Sequence, residues 1–246
     1  MSTEIVSASQ IIENAEYLIA LTGAGISKES NIPTFRGEDG LWREYDATDL
    51  ATPSAFARDP ELVWEWYSWR QNLIADCEPN PAHLTLAEWE EEGLLECVIT
   101  QNVDGLHHRA GSEDIYEVHG DIWAVKCTNC DYRGRLDELA DGVPHCEECG
   151  SILRPDVVWF GESLDQDVMS QVYSELQQAD TCIIIGTSGI VQPAASFPLI
   201  VKRSGGSAIE VNIEKTPLTS AVDIHIDGKA GAVLPKIDSM LKRREV

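Results

Sequence analysis

The chain has 246 residues, and its 43% hydrophobic content is enough to bury one large domain or a domain with an inserted module. With 42 acidic against 18 basic residues the formal net charge is −24, which opposes a nucleic-acid-binding surface and points to a salt-rich, halophilic cytoplasm. The first residues carry no basic region, and no uninterrupted apolar run approaches the roughly 20 residues of a membrane span, so a cytoplasmic protein without a membrane partner is expected.

Ser9 to Tyr17 places Ile11, Ile12 and Ala15 behind possible serine caps, the pattern of a short amphipathic helix. The apolar run Tyr17–Leu21 reads as a buried strand that opens into Thr22-Gly23-Ala24-Gly25-Ile26-Ser27. Two glycines one residue apart let a backbone turn tightly and approach a pyrophosphate whose charge sits against free N–H groups. A dinucleotide fingerprint wants a third glycine where this chain has Lys28, so these residues alone fit a nucleotide loop or an ordinary tight turn. Asn31-Ile32-Pro33-Thr34-Phe35-Arg36-Gly37, with Leu41 and Trp42, reads as a second loop able to close over a ligand.

Pro60 to Ala75 has a helical pattern in Leu62, Val63, Trp66, Trp69, Leu73 and Ile74, and most of its aromatics are expected in the core. Tyr67 and Arg70 lie three apart and share a face of that helix, which on its own is a polar surface. Glu96–Thr100 is a second strand that delivers Gln101-Asn102-Val103-Asp104 at its carboxyl end, where ligands of open α/β sheets bind; a helix cap is the alternative. His107 and His108 follow as helix-surface residues. Ile115–Val118 is a third strand ending at His119-Gly120, and His119 has the ordinary pKa of about 6.5 that suits a proton acceptor near neutrality.

Cys127-Thr128-Asn129-Cys130 and Cys146-Glu147-Glu148-Cys149 form two C-x-x-C pairs. Four thiolates at such spacing fill the tetrahedral shell of Zn²⁺ and leave no open position, so the expected metal is structural. Cys77, Cys97 and Cys182 lie in apolar or helical contexts where buried thiols are usual. Val157-Val158-Trp159-Phe160-Gly161-Glu162 reads as an apolar strand with a glycine stop. Thr181–Ile185 is the most apolar strand and empties into Gly186-Thr187-Ser188-Gly189. Ala208–Val211 precedes Asn212-Ile213-Glu214, a set suited to ribose hydroxyls, and Val222–Ile226 and Val233–Arg244 read as a last strand and a closing helix.

Gly23-Ala24-Gly25-Ile26-Ser27 followed by Ile32-Pro33-Thr34-Phe35-Arg36-Gly37 resembles the opening of the sirtuins, NAD-dependent protein lysine deacylases. The resemblance recurs in order at Thr100–Asp104, Val118-His119-Gly120, the four cysteines, Val158–Glu162, Gly186-Thr187-Ser188 and Asn212-Ile213-Glu214, and so covers nearly the whole chain. It implies NAD contacts from Gly23, Ala24, Gly25, Ser27, Thr34, Phe35, Arg36 and Trp42, and a nicotinamide site at Gln101, Asn102, Val103 and Asp104. Gly186, Thr187, Ser188, Asn212, Ile213, Glu214 and Ala230 would hold the rest of the dinucleotide. His119 takes the family's general-base position, one Zn²⁺ sits on Cys127, Cys130, Cys146 and Cys149, and Val158, Trp159, Phe160 and Gly161 pair with the acyl-lysine peptide.

Asp49-Leu50-Ala51-Thr52-Pro53 with Trp66-Tyr67-Ser68-Trp69-Arg70 resembles the subgroup that removes acidic acyl groups. In it a Tyr and an Arg at this spacing hold the distal carboxylate of succinyl- or malonyl-lysine. Thr34, where many relatives carry an aspartate, goes with that subgroup. The implied reaction moves the acyl group to ADP-ribose, consumes NAD, and releases nicotinamide and free lysine. The implied fold is α/β, a doubly wound Rossmann-like parallel sheet from about 1–42, 88–120 and 154–246. A smaller module would come from insertions at about 43–87, helical, and 121–153, a zinc ribbon. The rival readings are a lysine deacetylase with Tyr67 and Arg70 not acyl-selective, an NAD(P) oxidoreductase, and a zinc-ribbon binding module.

Overall fold

The computed structural model describes residues 2–33, 50–136, 140 and 142–241. Strand β1 (Leu18–Thr22) is flanked by β2 (Leu95–Thr100) and β7 (Thr181–Ile185), and the six-stranded sheet runs β3-β2-β1-β7-β8-β9. Here β3 is Ile115–Glu117, β8 is Ser207–Asn212 and β9 is Ile224–Asp227, and each neighbouring pair is parallel. The chain grows outward from β1 in one direction and from β7 in the other, so strand order reverses between them. Ligands of open parallel sheets bind in the crevice at that reversal, outside the carboxyl ends.

Both faces of this sheet are covered, which is why β1 and β7 are buried along their whole length and apolar without alternation. Leu18, Ala20, Ile183 and Ile185 face helices α1 (Thr3–Glu13), α5 (Pro81–Glu91) and α9 (Ala230–Asp238). Ile19, Leu21, Cys182 and Ile184 face α7 (Gln166–Gln178) and α8 (Phe197–Arg203). Helix α1 starts earlier than the serine pattern suggests, because the Ser2 side chain accepts from the Ile5 N–H and caps it there. The closing helix begins at Ala230 and ends at Asp238, shorter than the expected run to Arg244.

A second, antiparallel sheet of order β5-β4-β6 comprises β4 (Gly120–Cys127), β5 (Arg133–Arg135) and β6 (Leu153–Val157). It shares one apolar core with helices α3 (Pro53–Arg58) and α4 (Pro60–Ala75), through Phe56, Trp64, Trp66, Tyr67, Ile122, Val125, Leu153 and Trp159. Two side chains of α4 tie the halves together: Trp64 Nε1 donates to the Leu153 carbonyl at 2.9 Å and Gln71 Nε2 to the Ile122 carbonyl at 2.7 Å. Strand β6 stops at Val157, so Val158–Gly161 are not in the expected strand. The N–H groups of Val158, Trp159 and Phe160 bond instead to the His119 carbonyl, the Glu162 carboxylate and the Ala51 carbonyl. No helix among the described residues is long and apolar enough to cross a membrane.

Candidate functional site

The turns that leave β1, β2 and β7 are laced together by main chain. Gly23 N donates to the Ile185 carbonyl at 3.0 Å, Gly25 N to Gly186 at 2.7 Å, and Gln101 N to Thr22 at 3.0 Å. A Cβ on Gly25 would stand 2.6 Å from the Gly186 carbonyl oxygen, and one on Gly23 2.9 Å from the Thr187 Cα. Gly186, at φ +60°, has the reciprocal contact with Ile26 N and Gly25. The expected tight turn is present, and these glycines serve first to let two strand-end loops touch.

Those loops wall a cavity of about 850 Å³ lined by Gly23, Ala24, Gly25, Gln101, Asn102, His119, Gly186, Thr187, Ser188, Asn212, Ile213, Glu214 and Ala230. Thirteen of the residues expected at the dinucleotide and the base thus face one space from six separate stretches of chain. Lys28, Glu29, Asn31, Val191, Val211, Gly228 and Lys229 line it as well. Motif reading passed over Lys28 and Glu29 because a helical turn hides them, whereas Asn31 begins the loop expected to close over a ligand. Asn31 adopts φ +65° and Glu29 accepts from Gly231 N at 2.8 Å, joining the first loop to the last helix. Thr34, Phe35, Arg36 and Trp42 lie outside the described residues. A volume of this size suits a dinucleotide, and its mixture of backbone-rich glycine turns and strand-end amides is the chemistry that pyrophosphate and ribose need.

Ser27, Val103 and Asp104 are buried beneath the cavity. Ser27 Oγ donates to Asp104 Oδ2 at 2.8 Å, Asn102 Nδ2 donates to Ser27 Oγ at 3.1 Å and to the Gly23 carbonyl at 3.2 Å. Burial raises the Asp104 pKa, opposed by the Leu106 N–H and the Ser27 hydroxyl. Thr187 holds the other wall, accepting from Gln101 Nε2 at 2.9 Å, while its carbonyl accepts from Asn212 Nδ2 at 2.8 Å.

His119 stands between β3 and β4, half-buried, with Nδ1 3.0 Å from the Gln101 carbonyl. A carbonyl only accepts, so Nδ1 carries the hydrogen and Nε2 the lone pair of the neutral ring. Burial lowers its pKa below the ordinary value, with the Gln101 carbonyl pulling the other way. The ring is therefore an unprotonated base near neutrality. Gly120, at φ +81°, is required because a Cβ there would collide with the Asp156 carbonyl.

Of the two histidines expected on a helix surface, one departs from expectation. His107 is not a helix-surface residue. It is buried, its Nε2 3.0 Å from Thr22 Oγ1 and its ring 4.9 Å from His83, in a polar layer under β1 and β2. Burial holds His107 well below the ordinary histidine pKa and His83 down to about 4. His108 is exposed, as expected, and its pairing with Glu117 at 3.6 Å raises its pKa.

Tyr67 and Arg70 are buried rather than on a polar surface. The Arg70 guanidinium lies 5.0 Å from the Trp66 ring centroid and within electrostatic reach of Asp104. The Tyr67 hydroxyl accepts from Trp159 Nε1 at 2.8 Å. Phe160 is largely exposed beside this core. At the far end of the second sheet, the ligand atoms of Cys127, Cys130, Cys146 and Cys149 all lie within 4.8 Å of one another. Their 3.5 and 3.7 Å sulfur pairs match the ~3.8 Å edge of a tetrahedron with Zn–S bonds of about 2.3 Å. Those separations far exceed the ~2.05 Å of a disulfide. The set fits a closed four-thiolate Zn²⁺ site.

A profile of the Sir2 family matches residues 23–193. The chain is similar to an NAD-dependent protein deacylase of Pyrococcus furiosus, 52% identical over 242 residues covering 96% of this chain and 97% of that relative. It is also similar to the solved structure of a mutant Sir2 homologue in complex with ADP-ribose, with a TM-score of 0.93 and 48% identity over 98% of this chain and 96% of that one. A third likeness is a Sir2 structure with a p53 peptide and NAD⁺, at a TM-score of 0.86, 33% identity and coverage of 97% and 98%.

Proposed function

The chain belongs to the Sir2 family and is an NAD-dependent protein deacylase, and we propose that its preferred cargo is an acidic acyl group, succinyl or malonyl ahead of acetyl, carried on lysine. NAD is the co-substrate, and the acyl group leaves lysine for ADP-ribose with release of nicotinamide. The glycine turns at Gly23–Gly25 and Gly186–Ser188 give the pyrophosphate close approach to the main chain, and Asn212 to Glu214 with Ala230 take the adenosine half. Gln101 and Asn102 flank the nicotinamide end. His119 accepts the ribose hydroxyl proton at Nε2, while its Nδ1–H stays anchored on the Gln101 carbonyl. The four cysteines hold a structural Zn²⁺ that orders the second sheet.

The observation that carries the acyl preference is the position of Tyr67 and Arg70. They stand between Trp159, whose neighbour Val158 bonds the His119 carbonyl, and Asp104, which bonds Ser27 under the cavity. Neither lines the cavity, but a buried guanidinium and phenol tied to the His119 loop through Trp159 and Val158 suit a carboxylate, which accepts from both. The rival reading, a deacetylase in which both groups serve only internal packing, draws on the same burial. Val158–Gly161 would lie along the substrate peptide. A guest strand there would have to pair through groups other than the three N–H donors already engaged. The charge of −24 supports a salt-rich cytoplasm as the setting, and full folding in dilute buffer would overturn that part.

The test is one peptide acylated with either succinyl- or acetyl-lysine, assayed with NAD in high salt for the wild type and Arg70→Met. The expected outcome is a succinyl preference whose kcat/KM ratio over acetyl falls about tenfold to a hundredfold in the variant, the loss of one charge-assisted pair. An unchanged ratio leaves the deacylase and removes the acidic-acyl preference.

A further inference from the structure

An indole N–H can only donate, whereas a phenol both donates and accepts. At 2.8 Å the contact between Trp159 Nε1 and the Tyr67 hydroxyl therefore has one polarity, with tryptophan giving its hydrogen to the phenol oxygen. Among the described residues this is the hydrogen bond made at that hydroxyl, so the phenol's own hydrogen is turned away from Trp159 and committed to no acceptor there. A carboxylate needs a donor, and a phenol whose acceptor side is already occupied can meet it in the donating sense without first breaking a bond inside the protein.

Trp159 is itself held unusually firmly for a residue outside a strand. The Arg154 guanidinium lies over its ring at 3.3 Å from the centroid, which draws electron density from the indole and strengthens its N–H as a donor. Arg154 grips Glu162 through two nitrogens, and Glu162 Oε2 accepts from the Trp159 main-chain N–H at 2.9 Å. Phe56 packs against the ring at 5.2 Å. The indole is thus fixed at its face, its edge and its backbone before any ligand arrives, which is the condition for a polarity-setting contact to hold in the bound state.

Building on the acidic-acyl reading above, we propose that Trp159 is a positioning residue for acyl selectivity. Its indole N–H occupies the acceptor side of the Tyr67 hydroxyl, and so presents that hydroxyl as a donor to the carboxylate of the acyl group. The Arg154–Glu162 pair, by locking Trp159, belongs to the same device.

The experiment compares succinyl and acetyl peptides for the wild type, Trp159→Phe, Tyr67→Phe and the double variant, with Arg70→Met as reference. A further variant places benzothienylalanine at position 159, which keeps the bicyclic ring and lacks the N–H. Loss of the N–H is expected to lower the succinyl-to-acetyl kcat/KM ratio about five- to twentyfold through KM for the succinyl peptide. In the Tyr67→Phe background the same change at position 159 is expected to alter the ratio less than about twofold, because the hydroxyl it acts through is gone. The benzothienylalanine variant carries the decision if Trp159→Phe does not fold. If Arg70→Met lowers the ratio while loss of the N–H does not, or if the N–H effect persists without the Tyr67 hydroxyl, this inference falls and the acyl reading stands. If Arg70→Met leaves the ratio intact, both fall together.

Discussion

Around Gly25 the switch point of the parallel sheet is held by main chain against main chain, whereas around Trp159 the smaller region is held by side chain against side chain. Gly25 N meets Gly186 at 2.7 Å with no room for a Cβ on either side. Trp159, by contrast, is fixed by Tyr67, Arg154, Glu162 and Phe56. Backbone contact constrains residue type at the contact to glycine, and it supports a ligand through groups every residue carries. Side-chain contact constrains chemistry, and it can be altered without disturbing the main-chain contact of the two glycine loops.

Three measurements press on this contrast, beginning with the largest effect. Stripping Zn²⁺ with a chelator is expected to abolish deacylase activity and the hydrogen-exchange protection of β4–β6, while β1, β7 and β8 keep theirs. Structural Zn²⁺ contributes about 10–16 kcal/mol in isolated zinc-finger peptides. Retained protection of β4–β6 without metal would mean that the side-chain core suffices alone. Gly25→Ala comes next. Its new methyl carbon would lie 2.6–2.7 Å from the backbone of Gly186, a clash expected to cost about 1–3 kcal/mol of stability and to raise KM for NAD at least tenfold. Thermal melting and NAD titration check it, and an unaltered KM would show that the two loops move apart freely.

The smallest effect concerns the polar layer where the two regions meet. His83 and His107 are kept neutral in the folded chain by burial, whereas unfolded histidine protonates near pH 6.5. Both folded pKa values are lowered, so neither costs stability above about pH 6.5. His83 then removes about 1.4 kcal/mol per pH unit as pH falls from there toward about 4, and His107 acts in the same direction. Asp104, Glu117 and His108, whose pKa values are raised, pull the other way. The histidine contribution is therefore read as a difference from His107→Gln, whose denaturation free energy between pH 6.5 and 4.5 should fall less steeply. Parallel slopes would contradict the burial assigned to His107.

Local sequence carried the strand ends well. Each expected turn residue from Gly23 to Gly25, Gln101 to Asn102, Gly186 to Ser188 and Asn212 to Glu214 faces the same cavity, since a buried parallel strand is a short apolar run and its carboxyl end is where polar residues resume. Lys28 and Glu29 were missed because their place on the cavity depends on how a single helical turn is aimed. His107 was misread because only the neighbouring strands bury it. Val158–Gly161 looked like a strand because apolar content says nothing about whether a partner strand is within reach, and here Glu162, Ala51 and the His119 carbonyl take the N–H groups instead.

The sequence by itself determined the strands of the parallel sheet, the glycine turns and each of the two C-x-x-C pairs, because each is set by residues within a few positions of one another. Tertiary structure alone decided that Gly25 touches Gly186 and that Trp159 gives its hydrogen to Tyr67, a residue 92 positions away. Those contacts join segments distant in the chain, and a hydrogen bond depends on distance and direction in space, which no local pattern of residues records.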